Sequence, residues 1–122
     1  MNFKNSCSFL FSRGLRLMSK KENEFQAGLI KEIKTRFPGA VVLKNDANYI
    51  QGIPDLTVLY KDRWAMLECK RSADASKRPN QEYYIGKLDE MSFASFVSPD
   101  NKEEILNEME RSFSSIGKAR NS

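Results

Sequence analysis

Residues 52–70 of this chain read GIPDLTVLYKDRWAMLECK, and this stretch decides the fold. It contains two apolar runs rich in β-forming side chains, separated by the polar residues 61–63, which is the pattern of a β-hairpin. Three charged side chains, Asp55, Glu68 and Lys70, interrupt the ends of these runs, where burial should disfavour charge.

The spacing of the three charged residues predicts that they converge. Side chains alternate between the two faces of a strand, so Glu68 and Lys70 share one face while Cys69 points to the other. Antiparallel pairing sets the start of the first strand beside the end of the second. We therefore expect Asp55 to lie near both Glu68 and Lys70.

Two acids and one lysine have a defined chemical use. Two neighbouring carboxylates repel each other, and a shared hard cation such as Mg²⁺, which prefers oxygen ligands, relieves the repulsion. A lysine beside them can orient a water molecule or stabilise charge on a phosphoryl oxygen, which suits hydrolysis of a phosphodiester. On these residues alone, an ordinary surface salt bridge at the end of a hairpin stays open as the alternative.

The same residues resemble a known nuclease signature. Pro54-Asp55, twelve intervening residues and Glu68-Cys69-Lys70 are similar to the PD-(D/E)XK motif, and residues 52–56, GIPDL, resemble its form in VRR-NUC domains and phage resolvase-like endonucleases. The likeness spans most of residues 22–113. It implies that Asp55 and Glu68 bind the catalytic metal and that Lys70 assists the attacking water.

The resemblance implies two further site residues. The first helix of such nucleases often supplies another glutamate, for which Glu24 is the best match and Glu22 and Glu32 are weaker candidates. A glutamine is expected at the start of the helix after the lysine strand, where this chain has Gln81. The expected metal is Mg²⁺, for which Mn²⁺ can substitute, held by Asp55, Glu68 and Glu24. The expected catalytic set is Glu24, Asp55, Glu68, Lys70 and Gln81.

Periodicity read without the motif gives the order of the elements. Apolar residues at helical spacing predict helices over 22–37, from Pro79 to Met91 and around residues 105–113, and β-type runs predict strands at 40–43 and 93–97 besides the hairpin. The order is α-β-β-β-α-β-α. It agrees with the α/β, restriction-endonuclease-like αβββαβ core with a mixed central sheet and a C-terminal helix that the resemblance implies.

Composition indicates a single domain. The chain has 122 residues, of which 40% are hydrophobic, enough for one core. We expect a disordered or optional basic arm at residues 1–18, the nuclease domain at 19–115 and a flexible tail at 116–122. The sequence around Met18 resembles a translation start. No stretch is long enough to cross a membrane. Two cysteines cannot build a disulfide framework, so a reducing cytoplasm is the default expectation, in the host if the chain is phage-encoded.

Charge is distributed unevenly along the chain. The net charge is +4, but residues 1–21 carry five bases and no acid, which leaves 15 bases against 16 acids elsewhere. A generally basic surface is therefore absent, and phosphate contacts would come from local groups. The candidates for nucleic-acid binding are Arg71, Lys77 and Arg78, with Lys44 as a further possibility, although loops also carry charge without function.

Missing residue types narrow the chemistry. The chain has no histidine, which excludes Ser-His-Asp triads, HNH-type nucleases and His-ligated zinc. Two cysteines at positions 7 and 69 do not make a structural zinc site or a disulfide framework. The chain also lacks a Gly-Lys-Ser/Thr phosphate loop, so no nucleotide cofactor is expected.

The function expected from the sequence is a Mg²⁺-dependent DNA endonuclease. Small size and the resemblance suggest a homodimer that acts on branched or nicked DNA, such as a Holliday junction. Alternatives are a nicking or restriction-like duplex nuclease, an inactive DNA-binding module of the same fold, and an interaction protein that docks through its acidic last helix. Tyr49 and the pair Tyr83-Tyr84 can stack on unpaired bases or pack in the core.

Overall fold

The computed structural model of the chain describes residues 18–115, which form an α/β domain of three helices and four strands. Its elements, in chain order, are α1 (Lys20–Arg36), β1 (Val41–Lys44), β2 (Leu56–Tyr60), β3 (Arg63–Cys69), α2 (Pro79–Met91), β4 (Phe93–Val97) and α3 (Lys102–Ser114). The order predicted from periodicity is confirmed. Within the described residues, none of the helices combines the length and the apolar character needed to cross a membrane.

The four strands form one open, mixed sheet in the order β1-β2-β3-β4. Strand β2 is antiparallel to both β1 and β3, and β4 is parallel to β3. The predicted hairpin is present, with Leu56 opposite Leu67 and Tyr60 opposite Arg63. Its tight turn includes Lys61, whose φ of 57° lies in the left-handed region. A parallel pair requires a crossover, and α2 provides it.

Helix α1 begins at a capping box. The Ser19 side chain accepts from Glu22 N at 3.0 Å, and the Glu22 carboxylate accepts from Ser19 N at 3.3 Å. These bonds satisfy two of the backbone donors that a helix leaves unpaired at its start. Further along, Leu29 and Ile33 are buried one turn apart, and they fix the side of α1 that faces the sheet.

The hydrophobic core fills the space between one face of the sheet and helices α1 and α3. The sheet contributes Leu67 and Cys69, among others, which alternate along the chain with the charged residues Glu68 and Lys70. Helix α3 contributes the four apolar residues that helical spacing predicts. Helix α2 lies over the opposite face, since Gln81 near its start hydrogen-bonds to Glu68 and Lys70. The buried residues contributed by α3 are Ile105, Leu106, Met109 and Phe113.

Ion pairs join α1 to the acidic helix α3. Arg36 contacts Glu110 at 3.0 Å and Glu103 at 3.6 Å, and it also donates to the side chain of Asn107. Lys102 lies 2.7 Å from Glu32. Two acids of α3 therefore pair with one base of α1, and one base of α3 pairs with an acid of α1, on the side of the sheet opposite α2.

The domain boundaries predicted from the sequence remain predictions. Residues 1–17 of the expected arm and the whole of the expected tail, 116–122, lie outside the described residues. Residue Met18 is half-buried and its sulfur accepts from the Gln26 amide at 3.5 Å, so the described domain includes it.

We predict a pH-dependent contribution from Glu32. The hydrogen bond from the Lys102 ammonium holds the pKa of Glu32 below its ordinary value of 4.5. A carboxyl whose pKa is lowered by folding stabilises the protein above its unfolded pKa, and this stabilisation is lost as the pH falls through the folded value. Both side chains are about one-third exposed, so Glu32→Gln should lower the free energy of unfolding at pH 7 by less than about 1 kcal/mol.

Urea denaturation at pH 7 and at progressively lower pH measures this contribution. The difference between Glu32→Gln and the unchanged protein should shrink towards zero below pH 4.5. Glu24→Gln, an exposed position in the same helix, is the charge-matched control. A difference that stays constant with pH would mean that the carboxylate charge of Glu32 is not its source.

Candidate functional site

Two carboxylates stand side by side where β2 begins and β3 ends. Leu56 and Leu67 are direct partners in the ladder, so Asp55 and Glu68, one residue further out on each strand, are neighbours on the other face. Both line one cavity of about 250 Å³. Asp55 is half-buried, whereas Glu68 is only 1% exposed. The predicted convergence of the two acids is present.

Backbone groups and one amide side chain hold Asp55 in place. Its Oδ2 accepts from Cys69 N at 2.8 Å, while the Cys69 side chain is buried in the core on the opposite face, as the alternation predicts. Asn45 donates from its backbone to Asp55 O at 2.8 Å, and its side chain bonds Pro54 O at 2.9 Å and the Thr57 hydroxyl at 3.0 Å. Asn45 is a positioning residue that the sequence reasoning missed, and a polar residue directly after a strand was its only signal.

Gln81 links the acid to the lysine. Its Nε2 donates to Glu68 Oε2 at 2.9 Å, and its Oε1 accepts from Lys70 Nζ at 2.8 Å and from Arg78 N at 3.1 Å. Gln81 is 4% exposed and Lys70 is 6% exposed. Across residues 18–115, no buried side-chain nitrogen or oxygen lacks a hydrogen-bond partner. A neutral amide therefore compensates a buried carboxylate and a buried ammonium together.

Lys70 also reaches two smaller cavities beside the first. One, of about 200 Å³, is lined by Glu22, Arg71 and Arg78 as well as Lys70. In the other, the ammonium groups of Lys70 and Lys77 lie 5.9 Å and 5.2 Å from the centre of the Phe96 ring. Three of the predicted nucleic-acid-binding residues, Arg71, Lys77 and Arg78, are thus grouped around Lys70.

Lys44, the fourth candidate for nucleic-acid binding, is not part of this group. It is the ladder partner of Leu56, and directly paired residues point to the same face of a sheet. Leu56 is fully buried in the core, so Lys44 projects on the face opposite Asp55 and Glu68. The sequence predicted this strand at 40–43, one residue before its observed position, and did not assign a face to Lys44.

The structure does not bring Glu24 to the site. Glu24 is exposed and lies two residues, about 200° around a helix, from Glu22. Glu22 lines a cavity together with Lys70. It precedes the buried Gln26 by four residues, so both lie on the same side of α1. Glu32 is engaged with Lys102 on the α3 side. Of the three glutamates considered from α1, only Glu22 lies beside the lysine.

The metal set expected from the sequence is therefore incomplete. Within residues 18–115, no group of three or more Asp, Glu, Cys or His side chains is close enough to hold a metal ion. The pair Asp55 and Glu68 still fits Mg²⁺, because this ion is commonly held by one or two carboxylates together with water and phosphate oxygens. The pair lines an open cavity and offers only hard oxygen donors.

A close backbone contact fixes the wall of the main cavity. Gly52 has φ of +92°, and a Cβ atom there would lie 2.4 Å from Asn80 Cβ and 2.9 Å from the Asn80 carbonyl carbon. Only glycine permits both this backbone conformation and this approach. The contact joins the loop before β2 to the first turn of α2, which supplies Arg78 to Gln81 to the same cavity.

The aromatic residues that the sequence left open are distributed over the surface. Tyr49 is 84% exposed, on the loop that also carries Gly52, and Tyr83 is exposed on α2 with its ring edge against Tyr84. Tyr84 is half-buried. None of the three belongs to the buried core.

Comparison with known proteins found no matching family model, no similar curated protein and no similar solved structure.

We predict that Gly52→Ala damages the site. The new methyl group must displace Asn80 and strain a left-handed backbone, which should lower the free energy of unfolding by about 1–3 kcal/mol. Urea denaturation measures the loss, and hydrogen exchange of the amides at 46–53 reports whether the loop separates from α2. Gly86→Ala, inside α2 with no atom within 4 Å of the new methyl, is the control and should stabilise the protein slightly. Equal stability of Gly52→Ala and the unchanged protein would refute the contact.

Proposed function

We propose that this protein is a Mg²⁺-dependent DNA endonuclease of PD-(D/E)XK type that hydrolyses phosphodiester bonds. The observation that carries the proposal is the arrangement of Asp55, Glu68 and Lys70 on one face of β2 and β3, with Gln81 bridging the acid and the lysine. A buried carboxylate and a buried ammonium are costly to maintain, so their presence beside an open cavity favours a catalytic use over a structural one.

Asp55 and Glu68 would hold the metal ion. Asp55 accepts a hydrogen bond from Cys69 N, and Glu68 accepts one from Gln81 Nε2, so each carboxylate is held in one orientation. Each carboxylate also has further lone pairs that can bind a cation. When bound, Mg²⁺ supplies a Lewis acid that polarises the phosphoryl group and favours ionisation of water. Glu22, on the same side as Lys70, replaces Glu24 as the glutamate proposed to assist from α1.

Lys70 is proposed to position the attacking water and to stabilise the charge that develops on the phosphoryl oxygens. Its bond to Gln81 fixes the direction of the ammonium, which has three donors in total. A donor held in place before the reaction stabilises the transition state without reorganisation. Water attacks phosphorus in line and gives up a proton to solvent, the phosphorus–oxygen bond on the far side breaks, and the departing oxygen takes up a proton from solvent.

The basic residues around Lys70 would hold the DNA backbone. Arg71 and Arg78 are exposed at the rim of the cavity that Lys70 and Glu22 line. The first turn of α2, at Arg78 to Gln81, lines the cavity of the acid pair, and backbone N–H groups at a helix start favour phosphate. Positive charge therefore lies beside Asp55 and Glu68. This suits DNA, in which further phosphates lie on both sides of the phosphate that reacts.

The finer features of the proposal come from the sequence resemblance. We propose that the enzyme selects branched or nicked DNA by shape and acts as a homodimer, because a symmetric pair would provide two sites and a larger footprint on the DNA. Cleavage of a four-way junction in symmetric pairs would support a resolvase, whereas cleavage of linear duplex would support a nicking or restriction-like enzyme.

Cleavage of labelled four-way junction, flap, single-stranded and linear duplex DNA tests the proposal directly. With Mg²⁺ or Mn²⁺ the protein should cut at least one substrate, and chelation by EDTA should abolish cutting. Lys70→Ala and Glu68→Gln should lower the rate by about 10²–10³-fold or more, because each removes a group that acts on the reacting phosphate.

Lys61→Ala is the matched control for the lysine. It removes the same charge from the hairpin turn, at the other end of β3. Its cleavage rate should stay within about twofold of the unchanged protein. Thermal unfolding of each variant shows whether a loss of rate is a loss of folding. A folded protein that cuts none of the four substrates with either metal would overturn the nuclease and favour a binding module.

We also predict how salt affects binding. If Arg71 and Arg78 each contact a phosphate, the double variant Arg71→Ala/Arg78→Ala should reduce the slope of log affinity against log salt concentration by about 2. Titrations of DNA with EDTA present measure this slope without cleavage. Lys44→Ala, on the opposite face, should leave it unchanged. An unchanged slope in the double variant would show that the phosphates lie elsewhere.

A further inference from the structure

An apolar groove lies next to the cavity of the acid pair. It has a volume of about 450 Å³, and its surface is formed mainly by Tyr49, Ile50, Ile53 and Met66, with Asn45 and Asp46 at its edge. The Tyr49 ring is 84% exposed. The groove is therefore a solvent-exposed apolar surface that includes an aromatic side chain. By contrast, Phe37, Tyr60 and Phe113 pack against one another.

The groove and the cavity are neighbours. Asn45 and Ile53 line both, so the two share a wall. Met66 precedes Glu68 by two residues on the same face of β3, and two strand residues span about 7 Å. A nucleotide whose phosphate lies at Glu68 can therefore extend its base over Met66.

The loop that carries Tyr49 is held by hydrogen bonds at and before this residue and by a packing contact after it. Tyr49 N donates to Asp46 O at 3.0 Å, and Asn48 N donates to Asp46 Oδ1 at 2.8 Å. Beyond the residue, Gly52 is packed against Asn80 of α2. A loop fixed in this way presents an aromatic ring with little loss of conformational freedom on binding.

The charges near the groove favour a base over a phosphate as its occupant. Asp46 is the one acid among the residues that line the groove, and with no second carboxylate there to share a metal ion its charge repels phosphate. The same carboxylate can accept a hydrogen bond from an exocyclic amino group of a base. The basic residues Arg71 and Arg78 lie at the other cavity, with Lys70. The neutral, flat base thus matches the groove, and the charged phosphate matches the side of the site that carries the cations.

We infer that this groove binds an unpaired nucleobase, which stacks on Tyr49 while the phosphate of the same strand lies at Asp55 and Glu68. The inference rests on the proposed function for its substrate, and it makes the preferred DNA one with an unstacked nucleotide beside the scissile bond. A base paired within a duplex cannot enter, because its face is covered by its neighbours. Selection of branched or nicked DNA would then come from this groove.

The test compares two labelled duplexes that differ by one unpaired nucleotide. The unchanged protein should prefer the DNA with the unpaired base. Tyr49→Ala should lower both its binding and its kcat/KM on that DNA by about 5- to 100-fold, the range for loss of one base–aromatic stack, with little change on the fully paired duplex. Tyr49→Phe should retain the preference, because the ring and not the hydroxyl makes the stack. Tyr83→Ala, an exposed tyrosine outside the groove, is the matched control.

A second readout does not depend on cleavage. With 2-aminopurine as the unpaired base and Mg²⁺ present, the measurement uses the Lys70→Ala protein, which keeps the acid pair and should cut slowly. Stacking on Tyr49 should change the fluorescence on binding, and adding Tyr49→Ala should remove the change while adding Tyr49→Phe keeps it. Equal losses on paired and unpaired DNA in Tyr49→Ala, or unaltered fluorescence, would overturn the base site. So would a change of oligomeric state in Tyr49→Ala, which would make the groove a contact between two copies.

The two proposals fail in different ways. Cleavage of DNA without any preference for the unpaired base, in both the unchanged protein and Tyr49→Ala, would refute the base site and leave the nuclease intact. Absence of cleavage together with a Tyr49-dependent fluorescence change would refute the nuclease and support a base-binding groove in a module that does not cut.

Discussion

The register of the β2–β3 hairpin is the constraint on which the rest of the structure depends. With Leu56 opposite Leu67, the apolar side chains of both strands enter the core between the sheet and helices α1 and α3. The same register sets Asp55 beside Glu68 on the other face. A slip of one residue would send these acids into the core and the leucines towards α2. Folding of the core and assembly of the acid pair are therefore one event.

On the face of the sheet that carries the acid pair, the buried charges of Glu68 and Lys70 need hydrogen-bond partners in place of water. A buried Glu68 beside a buried Lys70 would be destabilising if either were left without compensation. The amide of Gln81 donates to one and accepts from the other, which neither a carboxylate nor an ammonium in its place can do. Because Gln81 lies in the first turn of α2, the same bonds dock this helix against the sheet, with its N-terminus at the cavity.

The surface around Glu68, Gln81 and Lys70 has a basic part and an apolar part. Cations collect where the loop after β3 meets α2, and apolar side chains collect where the loop before β2 crosses the sheet. The contact of Gly52 with Asn80 joins the loop before β2 to the first turn of α2 and forms part of the wall of the cavity of the acid pair. The nucleotide site that we infer depends on this division, because a phosphate is charged whereas a base is flat and largely apolar.

The sequence by itself determined the hairpin, the element order and the convergence of Asp55, Glu68 and Lys70, because these follow from periods of two and 3.6 residues and from the pairing of adjacent strands. Only the tertiary structure decided that Glu22 and not Glu24 lies beside the lysine, since that choice depends on how packing against the sheet rotates α1 about its axis. The partners of Gln81 and the Gly52 contact join segments distant in sequence, and no local pattern encodes them.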